Sequence, residues 1–142
     1  FFNFVRKEDV NICKAVSLQK GKVKYYFDKP LSLYNSLVQN QDLNKIEKIK
    51  SDRLDNILNK TKYKDRQIDF LSIDAEGKDF EVLKSLNFKK YKPKLICVEI
   101  WGASKDKNFN LNNNIIYKYL VKKKYKLVFN KKENYIFLNK SK

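Results

Sequence analysis

Two short stretches of this 142-residue sequence gather side chains able to do chemistry. Asp74-Ala75-Glu76-Gly77 follows one apolar run, and Glu99-Ile100-Trp101-Gly102 closes the next. A carboxylate so placed can accept a proton from a substrate. A glycine lets the backbone turn sharply or approach a ligand closely. Histidine is absent from the whole chain. That removes Ser-His-Asp and Cys-His catalysis, histidine-ligated zinc and every imidazole acid or base. Catalysis is left to carboxylates, lysine, tyrosine or a bound cofactor. Asp74 and Glu76 by themselves are too few ligands for magnesium, so no metal site is expected. Gly21, Gly77 and Gly102 stand alone, which excludes a phosphate-binding P-loop and a dinucleotide fingerprint. Structural duties compete for the same residues. Asp74 can cap a helix, Glu76 can complement its dipole, Gly77 can relieve the turn, and Trp101 can be a core aromatic. The occurrence of Asp74, Glu76, Glu99 and Trp101 at two neighbouring strand ends favours a site.

The elements that position these groups are legible as alternating patterns. Ile68 to Ile73 reads as an apolar strand, and Asp79 to Lys90 carries Phe80, Leu83 and Leu86 at helical spacing. Pro93 is expected to end that helix, and Leu95 to Ile100 is a second buried strand. Strand, helix and strand make a right-handed parallel βαβ unit, in which Asp74, Glu76 and Glu99 share one rim. Upstream, residues 1–8 read as the end of a helix. Val10 to Leu18 and Val23 to Phe27 read as strands, joined at Gly21, and residues 28–45 as a long polar loop. A short strand near Ile46 to Ile49 leads into a helical turn at residues 53–58. Downstream, a helix is expected over Asn112 to Lys124 with Ile115, Ile116, Tyr119 and Leu120 inward. Lys126 to Phe129 and Tyr135 to Leu138 then form an antiparallel hairpin.

Composition bounds the rest. Hydrophobic residues at 42% and aromatics at 14% suffice for one packed α/β domain. No apolar run is long enough for a membrane-spanning helix. The net charge of +16 raises nucleic acid as a partner. Yet the basic residues are nearly all lysines scattered from Lys7 to Lys142, as AT-rich coding would produce. The reading is a solvated basic surface without specific nucleic-acid binding. Cys13 and Cys97 read as small buried core residues without a disulfide, in a reducing compartment, the cytoplasm. The chain contains no methionine, so Phe1 is read as an internal position or a processed terminus.

The stretch Ile68-Asp69-Phe70-Leu71-Ser72-Ile73-Asp74-Ala75-Glu76-Gly77-Lys78-Asp79-Phe80-Glu81-Val82-Leu83-Lys84 resembles the signature of the FkbM-type methyltransferases. Asp52-Arg53-Leu54-Asp55 is similar to the Leu-Asp element that precedes it in that family. Lys92-Pro93-Lys94-Leu95 through Val98-Glu99 is similar to the strand that follows, and Asn11 to Ser17 with Gly21 to the third strand and its turn. The resemblance covers roughly residues 3–140. It implies a Rossmann-like class I methyltransferase fold and S-adenosyl-L-methionine as cofactor. The acceptor would be a hydroxyl on a glycan, a lipid-linked group or another small molecule. Carried over, Asp74 would lie near the methionine end of the cofactor and the acceptor, and Glu76 would shape the site or take a proton. Gly77 would border the cofactor, Ala15 and Val16 would lie beside its adenine, and Glu99 and Trp101 would face the acceptor. One departure stands out: the family's glycine-containing loop and its ribose-binding acid are not found. Residues 1–142 are therefore expected to be a single incomplete domain, truncated at its N-terminus, with the antiparallel hairpin at its C-terminus. The family's sheet order, 3-2-1-4-5-7-6, would leave strand 3 without neighbours and Ile68 to Ile73 as an edge. Such a fragment is expected to aggregate and to bind no cofactor measurably. The competing readings are a basic nucleic-acid-binding module and a non-catalytic remnant of an enzyme.

Overall fold

The computed structural model describes residues 5–27, 37, 45–103 and 106–141. Two sheets form. The first holds β1 (Ala15–Val16), β2 (Gly21–Phe27) and β3 (Lys45–Asp52) in the order β1-β3-β2. The second holds β4 (Phe70–Ile73), β5 (Leu95–Glu99), β6 (Tyr125–Lys131) and β7 (Asn134–Asn139) in the order β4-β5-β7-β6. The helices α1 (Leu54–Asn59), α2 (Asp79–Lys84) and α3 (Ile115–Lys122) connect β3 to β4, β4 to β5 and β5 to β6, the last preceded by a 3₁₀ turn at Leu111–Asn113.

The βαβ unit expected from the sequence is present. β4 and β5 are parallel neighbours, with Phe70 opposite Leu95 and Ile73 opposite Val98. β7 pairs antiparallel with β5, bringing Asn134 opposite Glu99 and Leu138 opposite Leu95, and β6 closes the hairpin. Side chains alternate across a strand, so one face of β5 carries Ile96, Val98 and then Ile100, all buried. That face packs on Val82, Leu83 and Leu86 from the α2 region and on Ile116 and Leu120 of α3, with Phe137 and Tyr125 filling the hairpin side. The opposite face, with Leu95, Cys97 and Glu99, is half-buried.

Several boundaries differ from the sequence reading, each for a local reason. The helix from Asp79 stops at Lys84, well before Pro93. Ser85 Oγ donates to the Val82 carbonyl at 2.7 Å, and Asn87 Oδ1 accepts from the Lys89 and Lys90 N–H groups. These side chains satisfy the backbone in a turn and compete with continued helix. The later helix starts at Ile115 because Asn114 Oδ1 accepts from the Ile116 and Tyr117 N–H groups, an N-cap. Ile116 and Leu120 point inward as expected and Tyr119 is half-buried, but Ile115 is exposed. Val10 to Leu18 shrinks to β1, and Cys13 is exposed instead of buried; Cys97 is half-buried and both thiols are free. β3 is longer than the expected Ile46 to Ile49 because β2 pairs with it from Gly21 opposite Ser51 to Phe27 opposite Lys45. Of the helix expected over residues 1–8, residues 1–4 lie outside the described residues, and Arg6 to Asp9 form a turn. The long polar loop lies outside the described residues except for Leu37 and Lys45.

β1 is not left without a neighbour. It pairs in parallel with the end of β3, Ala15 opposite Ser51 and Val16 opposite Asp52, and the Ser17 N–H donates to the Asp52 carbonyl. β4, by contrast, pairs only with β5 among the described residues, so it is an edge of its sheet as expected.

Candidate functional site

A polar staple fixes Leu54, one of the residues of the site. Asp52, at the end of β3, is fully buried and accepts from the Arg53 N–H, from Asn56 Nδ2 at 3.0 Å and from Lys60 Nζ at 2.9 Å. These partners, Asn56 and Lys60 foremost, hold its pKa down at about 2. Arg53 grips Asp55 through two bonds of 2.8 and 3.1 Å and donates to the Ser85 carbonyl at 3.1 Å. The Leu54 N–H reaches Ser85 Oγ at 3.1 Å. The Asp52-Arg53-Leu54-Asp55 element thus ties the first sheet to the end of α2 and fixes Leu54 between them.

β4 delivers the chain into Asp74-Ala75-Glu76-Gly77 at its carboxyl end. Glu76 and Gly77 both have positive φ, 47° and 88°. For glutamate that is an uncommon backbone state. Asp79 holds it: one carboxylate oxygen accepts from the Ala75 N–H at 3.1 Å and the other from the Gly77 N–H at 3.2 Å. Asp79 is only 2% exposed, and burial pushes its pKa up although both bonds pull it down. The loop is therefore braced by Asp79, and Asp74, which could have been the cap, is exposed at the strand end.

Glu99, at the end of β5, faces the same rim. Its Oε2 is buried without a hydrogen-bond partner. Burial, followed by repulsion from Asp74, Asp79, Glu76 and Glu133, pushes its pKa up to about 7. Glu76 is raised for the same reasons, burial first and then Asp74, Asp79 and Glu133. Glu133 belongs to the β6–β7 turn. Its carbonyl accepts from the Ile100 N–H at 2.8 Å and its carboxylate from the Gly102 N–H at 3.0 Å. It thereby pins the loop carrying Trp101, which is 65% exposed and is not a core aromatic.

Beside this rim lies a cleft of about 370 Å³ between the two sheets. Val16 and Tyr25 line it from the first sheet, Leu54 from α1, and Leu71, Ile73 and Ala75 from β4 and its loop, with Asp74 and Glu76 at its polar part. Leu37 also reaches it. Of the residues expected at the site, Val16, Asp74 and Glu76 line the cleft, whereas Ala15 is buried in the pairing with Ser51. Gly77, Glu99 and Trp101 stand outside its wall, with Glu99 coupled to Asp74 and Glu76 through charge. Sequence reasoning missed Asp79 and Glu133. The first could have been found as the acid opening the helix after the glycine. The second is visible only once the hairpin register returns its turn to the end of β5.

The lining fits those parts of S-adenosyl-L-methionine, the cofactor the resemblance implies, that are an aromatic base and a cationic centre. An apolar cleft of this size can take a flat aromatic base, and converging carboxylates with one unpaired buried oxygen suit a cationic ligand. Val16, Tyr25 and Leu54 form the apolar wall, and Asp74, Glu76 and Glu99 the anionic rim. Among the described residues no group of three acidic or thiol side chains is arranged to hold a metal ion. Nor is any described helix long and apolar enough to cross a membrane.

No curated protein and no solved structure matches the chain. The methyltransferase FkbM domain family matches it over residues 5–127, a span that contains β1 to β5, the Asp52–Asp55 staple and both carboxylate strand ends. The chain belongs to the methyltransferase FkbM domain family.

Proposed function

We propose that the protein is an S-adenosyl-L-methionine-dependent O-methyltransferase acting on a hydroxyl of a small-molecule, lipid-linked or glycan acceptor. The observation that carries this reading is the meeting of Asp74, Glu76 and Glu99 at the carboxyl ends of two parallel strands, beside an apolar cleft. Ligands in open α/β sheets occupy that position. The cofactor, when bound, supplies a methyl group activated by a positively charged sulfur. On this reading Val16 and Tyr25 flank its adenine, and Asp74 and the Gly77 turn border its methionine end.

The chain's own contribution is positioning and proton handling. Methyl transfer needs the acceptor oxygen held in line, and positioning supplies most of the rate. Trp101 and Glu99 orient the acceptor at the rim. A carboxylate with a pKa near neutrality is well matched to accept the hydroxyl proton. Glu99, pushed up to about 7, meets that condition, and Glu76 is shifted in the same direction. The order β4-β5-β7-β6 of the second sheet agrees with the 4-5-7-6 part of a class I methyltransferase sheet, which supports the Rossmann-like reading. Transfer of labelled methyl from S-adenosyl-L-methionine to a panel of hydroxyl-bearing glycans, with and without Asp74→Asn, Glu76→Gln and Glu99→Gln, tests the proposal. A fall of about tenfold or more in at least one variant is expected. Transfer unchanged in all three would sink the assignment of the rim.

A further inference from the structure

Another concavity among the described residues lies at the opposite end of the sheet from the carboxylates. It has a volume of about 340 Å³ and is ringed by Lys89, Lys92, Lys122, Lys123 and Lys124 over Phe88 and Tyr125. β5 separates the two poles. Lys92 precedes its start and Glu99 ends it, a span of roughly 13 Å along the strand. β7 runs the other way, so Asn139 lies at the lysine pole and Asn134 beside Glu99.

Two ordinary explanations for the lysines fall short. Lys122, Lys123 and Lys124 end α3, where a cation complements the helix dipole. That dipole amounts to roughly half a negative charge, a fraction of what five ammonium groups carry. Ion pairing could otherwise neutralise them, but among the described residues no acid lines the concavity and none pairs with any of the five. Lys123 is further held in place, its Nζ lying 5.6 Å from the Phe88 ring centre and 5.4 Å from that of Tyr119. Lys124 sits at φ 66°, which turns the chain so that three consecutive lysines border one bowl.

We propose that this bowl is a binding site for a diphosphate or polyphosphate group, separate from the methyl-transfer rim. Lysine binds phosphate oxygens as a mobile point charge, so several around one concavity suit a ligand with more than one phosphoryl group. The group could be borne by a soluble phosphate compound or by a lipid headgroup, and the ammonium groups meet the same chemistry in either.

Calorimetry and amide NMR of the protein with tripolyphosphate, at about 0.15 M salt where diffuse attraction is screened, provide the test. Saturable one-to-one binding is expected, with shifted amides confined to the bowl. Lys89→Gln with Lys92→Gln should weaken it about tenfold, whereas Lys45→Gln with Lys48→Gln, removing equal charge from exposed β3, should weaken it less than about twofold. Phosphatidylcholine vesicles carrying a diphosphorylated phosphoinositide separate the sources. Vesicle binding that tripolyphosphate displaces assigns the group to a headgroup, and tripolyphosphate binding without vesicle binding assigns it to a soluble compound. Absence of binding to both, equal losses in the two double variants, or equal binding to phosphatidylserine vesicles of the same charge would overturn the proposal.

Discussion

Replacing Glu99 by glutamine should stabilise the fold at neutral pH and flatten its pH dependence. The carboxylate has one buried oxygen without a partner and sits among Asp74, Asp79, Glu76 and Glu133. Its pKa is raised from 4.5 to about 7. A group whose folded pKa is raised contributes its stability below the unfolded pKa and loses it as pH rises through the folded one. The window therefore runs from about 4.5 to about 7, and the fold weakens across it. At about 1.4 kcal/mol per pKa unit the full shift corresponds to about 3 kcal/mol. The side chain is half-buried, and solvent screening reduces this to about 1–2 kcal/mol. A neutral amide removes the repulsion, so Glu99→Gln should melt about 3–6 °C higher than the parent near pH 8 and no higher below pH 4.5. Thermal denaturation across that pH range is the assay. A variant less stable than the parent near pH 8, or one with the parent's full pH slope, would show that Glu99 is stabilised in its charged form.

Asp79→Ala should destabilise the protein by about 2–4 kcal/mol in urea denaturation, because it strips the acceptors from the Ala75 and Gly77 N–H groups that hold the strained loop. Asp52 works in the opposite pH direction from Glu99. Its pKa is depressed from 3.8 to about 2, so the stability it lends is present above about pH 4 and lost as pH falls toward 2. Asp52→Asn should abolish that part of the acid transition while leaving Lys60 without its partner, and acid titration followed by circular dichroism reads both effects.

The βαβ unit was legible because its signals are local. The apolar run to Ile73, the Asp79-to-Lys84 helical spacing and the run from Leu95 each declare themselves within a few residues. The hairpin of β6 and β7 was legible for the same reason. Boundaries failed where side chains rewrote the backbone, as Ser85 and Asn87 do at the end of α2 and Asn114 at the start of α3. Periodicity measures burial and is blind to such polar competition. The first sheet failed differently. Val10 to Leu18 has strand composition, but only Ala15 and Val16 pair as a strand, extended by the Ser17 N–H bond to Asp52, and their partner is the far end of β3. Nothing in the local pattern specifies a pairing at such separation.

The site divides along the same line. Asp74, Glu76 and Glu99 were visible because the carboxyl ends of parallel strands are where chemistry is expected. Their environment was not. The raised pKa of Glu99 depends on burial first, then on Asp74, Asp79, Glu76 and finally Glu133, which arrives from the turn of the hairpin and also bonds the Gly102 N–H. Asp79 likewise has two effects, since it braces the loop through hydrogen bonds and raises Glu76 and Glu99 through its charge. Asp74, Asp79, Glu76 and Glu133 each raise the Glu99 pKa through their charge. Binding of a cationic ligand at this rim should therefore release part of that repulsion, lowering the Glu99 pKa as the ligand binds. Burial, the larger cause, keeps part of the upward shift in the complex, so Glu99 still accepts a proton there, while ligand uptake is favoured near neutral pH and weakens as Glu99 is protonated below about 7.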